Sequence, residues 1–524
     1  MAIIRDDITV SGMLEAARRR DPARLYLRFG STALSVGELA ERVEALAGGL
    51  HRIGLRSGDR VPVMLANSVD HVVLFFALQR LGVVQVPVNT GLRADGLAYL
   101  LRHCDPRWVV AEVGYSDQVR AALAEVDLAG VLWRGGMPAA SGPVDAALEP
   151  LLDGPGDAPP ASADPSRVMG ILYTSGTTGP PKGVQVTDKM LRAAAWACAQ
   201  AADARAGDTL LMWEPIYHIG GSQVLVLALE HAVTLGMVER FSASRYWSEV
   251  RELGATQIHY LGGILQILLR QPPRPDDRDH PARVAYGGGA PAAVWRDFAD
   301  RFGVQVREVY GMTEASSFTS INTDGRFDCT GRPAPYFDVR IADADGHAVA
   351  VGTRGEILVR EREPGLITPG YFRNPEATAR ALRDGWLHTG DVGWLDEDGY
   401  LHYAGRTKDA IRHRGENVSA WEVERVVDQH PQVQESAVIG VTDELGDESI
   451  KLLVKPTAGS VLEPAALLAW CETRLAAFQV PTYLAFVDDF ERTATQRIRK
   501  ETLARGTEDC WRRERDGRLV PPAG

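Results

Sequence analysis

Tyr173-Thr174-Ser175-Gly176-Thr177-Thr178-Gly179-Pro180-Pro181-Lys182-Gly183 contains three glycines, four Ser/Thr hydroxyls and one lysine. Immediately before it, Val168-Met169-Gly170-Ile171-Leu172 is an apolar run that reads as a buried strand. A hydroxyl-rich glycine loop after a strand is one way to hold phosphates. Glycine lets backbone N–H groups turn toward the anion, hydroxyls add donors, and lysine adds a mobile positive charge. The competing reading is a flexible surface loop, which the ordered Ser/Thr-Gly-Lys pattern disfavours. The stretch is not a Walker A sequence, because no Gly-Lys-Ser/Thr follows the first glycine at the required spacing. A P-loop NTPase is therefore disfavoured, and another phosphate-handling family is expected.

The 524 residues, with a formal net charge of -12 and 45% hydrophobic content, allow more than one domain and large cores. The acidic balance disfavours an extended nucleic-acid or anionic-membrane surface but leaves room for a compact anion such as ATP, which needs only local donors. Five scattered cysteines (Cys104, Cys198, Cys329, Cys471, Cys510) form no Cys-x-x-Cys pair. Neither a disulfide framework nor a zinc site is suggested, and a reducing cytoplasmic setting is expected. The residues Met1 to Asp7 lack a secretory pattern, and no apolar run reaches membrane-spanning length.

Along the chain, apolar strand-like runs alternate with helical spacings from Ser35 to Val309, which predicts a parallel sheet with helices on its faces. Gly135 to Pro165 reads as a surface loop. Short strand-like pieces after Glu314 predict an antiparallel sheet or small barrel. A small α+β unit follows Lys408, and the charged, proline-containing tail from Cys510 is expected to fray.

Several motifs accompany the loop. Gly287-Gly288-Gly289-Ala290-Pro291 follows a strand, where a ligand can lie against backbone; a plain tight turn is the alternative. Thr389-Gly390-Asp391 places a carboxylate at a turn between two strands, suited to the hydroxyls of a ribose or merely to organising the turn. In Tyr310-Gly311-Met312-Thr313-Glu314, the acid suits Mg²⁺ beside a polyphosphate and the tyrosine suits a purine. The alternatives there are a surface glutamate and a core tyrosine. His218, in Glu214-Pro215-Ile216-Tyr217-His218-Ile219-Gly220-Gly221, either gates an anionic substrate or is a satisfied core histidine. Gly405-Arg406-Thr407-Lys408-Asp409 offers two cations for ribose and phosphate, or is a solvated linker.

In this order, and with Gly415-Glu416-Asn417-Val418-Ser419, these motifs resemble the adenylate-forming superfamily of acyl-CoA synthetases, nonribosomal adenylation domains and beetle luciferases. The resemblance runs from about Leu39 to about Lys500 and is nearest to crotonobetaine/carnitine–CoA ligase-like members. It implies a large α/β N-terminal domain (1–404) with parallel sheets and a small antiparallel subdomain. A mobile α+β C-terminal domain (405–510) and a tail (511–524) would follow. It implies ATP- and Mg²⁺-dependent activation of a small organic acid as an acyl-adenylate, with release of pyrophosphate. The acyl group then passes to the thiol of CoA after the C-terminal domain rotates about Lys408. By the same resemblance, Thr174, Ser175, Gly176, Thr177, Thr178 and Lys182 hold the triphosphate. Glu314 holds Mg²⁺, Gly288, Gly289, Ala290 and Tyr310 line the adenine, and Gly311 belongs to the nucleotide-binding set. Asp391 and Arg406 hold the ribose, Thr313 contacts the α-phosphate, and His218 lies beside the acyl pocket. Homodimers are common among such ligases.

Two positions depart from the family's pattern. Gln496-Arg497 stands where Gly-Lys is expected, and arginine keeps the charge but is larger and planar. Tyr260-Leu261-Gly262-Gly263 replaces a Val-Pro step beside the acyl pocket. Two alternatives to acid–CoA ligation stay open on these grounds. One is a diazotase that adenylates nitrite to diazotise an aromatic amine, and the other is a nucleotide-binding homologue with weakened turnover.

Overall fold

A computed structural model describes residues 3–522 except 93, 125, 140, 143–144, 175–180, 262, 291, 407–409, 414–415, 443–447, 476–478, 494–496 and 515–516. Within them, two large sheets carry most of the chain. The first runs in the order Ala146–Ala147, Gly130–Arg134, Trp108–Glu112, Arg60–Met64, Val84–Pro87, Val168–Thr174 and Lys182–Thr187. It is parallel up to its last pair, where Val168–Thr174 and Lys182–Thr187 are antiparallel and Thr174 lies opposite Lys182. The phosphate-loop sequence thus connects two antiparallel strands at a sheet edge.

The second sheet has Thr209–Met212, Gln257–Leu261, Val284–Gly288 and Gln305–Tyr310 side by side and parallel. The run Leu25–Phe29, far away in sequence, joins its other flank beside Thr234–Met237. Both sheets fit the expected alternation of strand and helix. The Ala-rich helix Asp188–Ala202 is buried almost all round. Its small side chains allow close packing against the apolar helix Ile219–Glu230. That second helix begins at Ile219, with His218 as its N-cap residue.

An antiparallel sheet follows, with Phe337–Ala342, Gly355–Glu361, Trp386–Leu395 and Leu401–Arg406 as its main strands. Asp391 was expected at a turn between strands. It lies instead inside the ten-residue strand Trp386–Leu395, at a shift in pairing with Gly355–Glu361. Gly390, at φ +70°, supplies the left-handed residue of this bulge.

The C-terminal unit has its own core, including Ile411, Val423, Ile450, Leu452, Leu467 and Leu484. The expectation of a fraying tail is corrected. Trp511–Arg513 pairs with Tyr483–Phe486, and Leu519–Val520 pairs with Trp511–Arg513, so both extend the C-terminal sheet. Edge pairing supplies backbone partners that charge content does not reveal. All five cysteines are buried and free, and among the described residues no helix is long and apolar enough to cross a membrane.

Candidate active site

The carboxyl ends of four neighbouring parallel strands open on one edge of the second sheet, the location where open α/β sheets bind ligands. Met212 leads to Glu214 and His218, Leu261 to Gly263, Gly288 to Ala290, and Tyr310 to Glu314. The backbone is tightly packed here. A Cβ on Gly311 would lie 1.7 Å from the carbonyl oxygen of Ser317, so only glycine fits. After Glu314, Ser316 and Ser317 both have left-handed φ, at 50° and 69°. Two consecutive non-glycine residues in this region store strain beside Glu314.

Glu314 sits in a short 3₁₀ turn and is buried. The Tyr371 hydroxyl donates to its Oε1 at 2.9 Å. The Lys182 ammonium lies 4.9 Å from the centre of the Tyr371 ring. Tyr371 is held by the neighbouring edge strand, where it bridges to Val184 and the Phe372 N–H donates to the Gly183 carbonyl at 2.7 Å. Tyr371 therefore links the lysine of the loop to the candidate metal acid. Burial raises the pKa of Glu314, partly offset by the Tyr371 bond and by Arg406. A buried carboxylate oxygen is a hard donor, so Glu314 fits Mg²⁺ shared with substrate phosphates.

Asp391 is the second centre. The Tyr310 hydroxyl donates to its Oδ2 at 2.7 Å, and Arg406 Nε donates to its Oδ1 at 3.1 Å. Burial pushes the Asp391 carboxyl upward, while Arg406, Tyr310 and Arg497 favour its charged form. Tyr310 is itself buried and its ring stacks on Tyr403, with centroids 5.7 Å apart. Its visible task is to orient Asp391. Glu356 fixes the bulge from the neighbouring strand, accepting from the Gly390 N–H at 3.0 Å.

The glycine turn at Gly288–Ala290 is fastened by Glu308. This buried carboxylate accepts from the N–H of Gly289, from the N–H of Ala290 at 3.2 Å, and from the Tyr260 hydroxyl at 2.5 Å. Burial pushes Glu308 up to about 7.

The third group surrounds His218, whose Nε2 is buried with no hydrogen-bond partner among the described residues. Burial, and then Arg497, lowers His218 to about 4, so the imidazole is neutral. Glu214 is buried nearby and pushed up to about 8 by burial, with Arg497 acting in the opposite direction. Arg497 thus brings one positive charge from the C-terminal unit to bear on Glu214, His218 and Asp391. Its backbone is pinned by two hydrogen bonds to Thr493. Thr493 N–H donates to the Arg497 carbonyl at 2.8 Å, and Arg497 N–H donates to Thr493 Oγ1 at 3.1 Å.

The structure links Lys182 to Glu314 through Tyr371, Tyr310 and Arg406 to Asp391, and Arg497 electrostatically to His218 and Asp391; Gly288, Gly289, Ala290, Gly311 and Thr313 lie at or beyond the ends of two neighbouring parallel strands, and Thr174 lies opposite Lys182. Ser175, Gly176, Thr177, Thr178 and Lys408 lie outside the described residues, as does Gly262. Sequence reading assigned no role to Tyr371, Glu308, Glu356 or Glu214. For Glu214, the only local signal was an acid between Trp213 and Pro215 at the end of an apolar strand.

The family described as AMP-binding enzyme matches residues 14–372, and its C-terminal domain matches residues 422–497. A crotonobetaine/carnitine–CoA ligase of Proteus mirabilis is 31% identical over 483 residues, covering 90% of this chain and 92% of the relative. A benzoate CoA ligase from Burkholderia xenovorans superposes with a TM-score of 0.85 at 25% identity, covering 94% of this chain and 99% of the other. ATP-bound MatB from Rhodopseudomonas palustris superposes at 0.83 with 28% identity, covering 94% and 98%.

Proposed function

The chain belongs to the AMP-binding enzyme family and is an AMP-forming adenylating enzyme of the acyl-CoA ligase type; on that premise we propose that it activates a small organic acid at the site just described. The acid's oxygen attacks the α-phosphorus of ATP and pyrophosphate leaves; the CoA sulfur, losing its proton, then attacks the acyl carbon of the adenylate and AMP leaves. The observation that carries this reading is the pair of linked groups Lys182–Tyr371–Glu314 and Tyr310–Asp391–Arg406, with the Arg497 charge acting on both Asp391 and His218.

A carboxylate and a polyphosphate repel each other, so donors have to neutralise charge where it develops. Lys182 and the loop from Thr174 to Thr178 hold the triphosphate, and Asp391 with Arg406 holds the ribose. Gly288, Gly289 and Ala290 flank the base, with Tyr310 and Gly311 behind it. Thr313 meets the α-phosphate. Glu314 would hold Mg²⁺, which when bound supplies positive charge against the phosphates. Arg497 offsets charge on the acid and α-phosphate in place of a lysine, and neutral His218 borders the acyl group without adding charge. Residues 1–404 and 405–510 act as two units with Lys408 as hinge, in a cytoplasmic enzyme.

The test is incubation with ATP, Mg²⁺ and CoA against a panel of carboxylic acids that includes a nitrite arm. Acid-dependent pyrophosphate and an acyl-CoA are expected. Pyrophosphate without thioester would refute the CoA step, and nitrite-dependent AMP release exceeding that of every carboxylate would refute the carboxylate.

A further inference from the structure

Tyr260 opens the stretch that departs from the family's pattern, and none of the steps above uses it. In the second sheet it stands opposite Gly287 on the next strand, and Gly287 stands opposite Glu308 on the strand after that. The middle position has no side chain, so the Tyr260 ring reaches across it. Its hydroxyl donates to Glu308 Oε2 at 2.5 Å. A Cβ on Gly287 would fall 1.9 Å from the Tyr260 carbonyl oxygen and 3.0 Å from the Cγ of its ring, so only glycine leaves this path open. Both ends are sealed from water, Tyr260 at 1% exposed and Glu308 at 8%.

The rest of the Glu308 carboxylate serves the glycine turn. The Gly289 N–H donates to Oε1, and the Ala290 N–H is shared between Oε1 and Oε2, at 3.2 Å from each. Gly289 has φ +96°, a left-handed conformation that lets successive N–H groups converge on one anion. Such a nest can receive a phosphate; here a side chain of the enzyme fills it. Tyr260, Gly289 and Ala290 all favour the charged form of Glu308 against its burial. With the N–H groups of Gly289 and Ala290 drawn inward, the backbone there offers a ligand only carbonyl oxygens. Acceptors alone suit a base edge that carries an N–H donor. The 6-amino group of adenine is such a donor, whereas the 6-oxo group of hypoxanthine or guanine would set oxygen against oxygen.

We propose that Tyr260 and Glu308 are a positioning pair that sets the choice of nucleotide: by drawing the N–H groups of the turn inward, they leave its carbonyls to accept from the 6-amino group of ATP. The inference rests on the adenylation reading above, with the base at Gly288–Ala290. Both residues act through the turn, because the Glu308 carboxylate is already filled by its own donors. Tyr260 stands on the strand that leads to the acyl side, yet its hydroxyl serves the nucleotide side. Its removal is therefore expected in the constants for ATP rather than in those for the acid.

The experiment measures acid-dependent pyrophosphate release with ATP, inosine triphosphate and purine riboside triphosphate, which lacks the 6-amino group. Wild type should favour ATP over either analogue in kcat/KM by about tenfold, the value of one hydrogen bond. Tyr260→Phe keeps the ring over Gly287 and removes one donor to Glu308. Glu308→Gln keeps the side chain's size and replaces one acceptor oxygen by an amide nitrogen. Each should raise KM for ATP by roughly tenfold, leave KM for the acid in place and change purine riboside triphosphate little, so that the preference for ATP shrinks toward unity. The preference is a ratio taken within one variant, so partial loss of folded enzyme does not alter it. If the variants weaken every nucleotide alike, raise KM for the acid instead, or keep the full preference, the inference is overturned. Wild type that uses purine riboside triphosphate as well as ATP overturns it too and leaves the adenylation reading standing. No acid-dependent pyrophosphate with any nucleotide and any acid refutes the adenylation reading and the inference with it.

Discussion

Tyr310→Phe removes one oxygen atom and tests the assignment of the ribose site. The Tyr310 hydroxyl donates to Asp391 Oδ2 at 2.7 Å, and the acceptor is buried. The phenylalanine ring retains the stacking surface against Tyr403, so packing is nearly conserved. A hydrogen bond to a charged group is worth about 1.5–3 kcal/mol. At 1.4 kcal/mol per factor of ten, its loss corresponds to a rise of roughly ten- to a hundredfold in the ATP requirement. Asp391 keeps Arg406 but loses a partner that favours its charged form, and burial already pushes it upward. The defect should therefore deepen as pH falls and the carboxyl gains its proton. The assay is acid-dependent exchange between ATP and labelled pyrophosphate, with KM for ATP and for the acid measured separately. KM for ATP should rise while KM for the acid stays the same. An unchanged KM for ATP across the pH range, in a folded variant, would refute the placement of the ribose at Asp391.

Gly311→Ala should lower both melting temperature and ATP use, because its methyl would lie 1.7 Å from the Ser317 carbonyl oxygen; a variant that melts like wild type would contradict the packing. Arg497→Ala should lower acid-dependent pyrophosphate release by about 10²-fold, the usual effect of removing one donor to developing charge, whereas Arg497→Lys should retain most of it; an unaffected Arg497→Ala would remove the arginine from the reaction. Glu214→Gln should change how stability depends on pH. Burial pushes the folded carboxyl up to about 8, well above the usual glutamate value of 4.5, so folding binds a proton in between and stability falls as pH rises through that window. At about 1.4 kcal/mol per pH unit the effect is on the order of 5 kcal/mol. The variant should match wild type near pH 5 and out-melt it increasingly toward pH 8; a difference independent of pH would refute the buried neutral acid.

The α/β alternation was legible because each strand and helix announces itself within a few residues. The glycine motifs were legible because tight backbone approach leaves only one residue type, as at Gly311. Pairing between distant segments was not. Nothing in Leu25–Phe29 says that it lies beside Thr234–Met237. Asp391 was misplaced for a specific reason: a glycine between polar residues marks a turn and a strand bulge alike, and only the partner strand decides between them. The tail beyond Cys510 was misread because two- and three-residue strands leave no periodicity. Tyr371, Glu308 and Glu214 escaped notice because each acts through a neighbour brought in from another element. An acid or tyrosine in isolation has a bland reading.

Two of the three centres of the site, those around Asp391 and His218, are electrically joined through a residue of the other unit. Glu214, His218 and Asp391 come from two different sheets of the large N-terminal part, and Arg497 acts on all of them. Burial alone would drive both carboxyls toward their neutral forms and His218 toward its own. Arg497 opposes burial at Glu214 and Asp391 and reinforces it at His218. Any displacement of the C-terminal unit that withdraws Arg497 therefore makes the charged forms of Glu214 and Asp391 costlier together, in a low-dielectric interior where such effects are largest. Arg497 thus adds to the polarisation that Arg406 and Tyr310 already give Asp391, and it is the cation that acts on Glu214 and His218. That gives the arginine a role a neutral side chain cannot fill, and it makes the position of the small unit part of the chemistry of the large one.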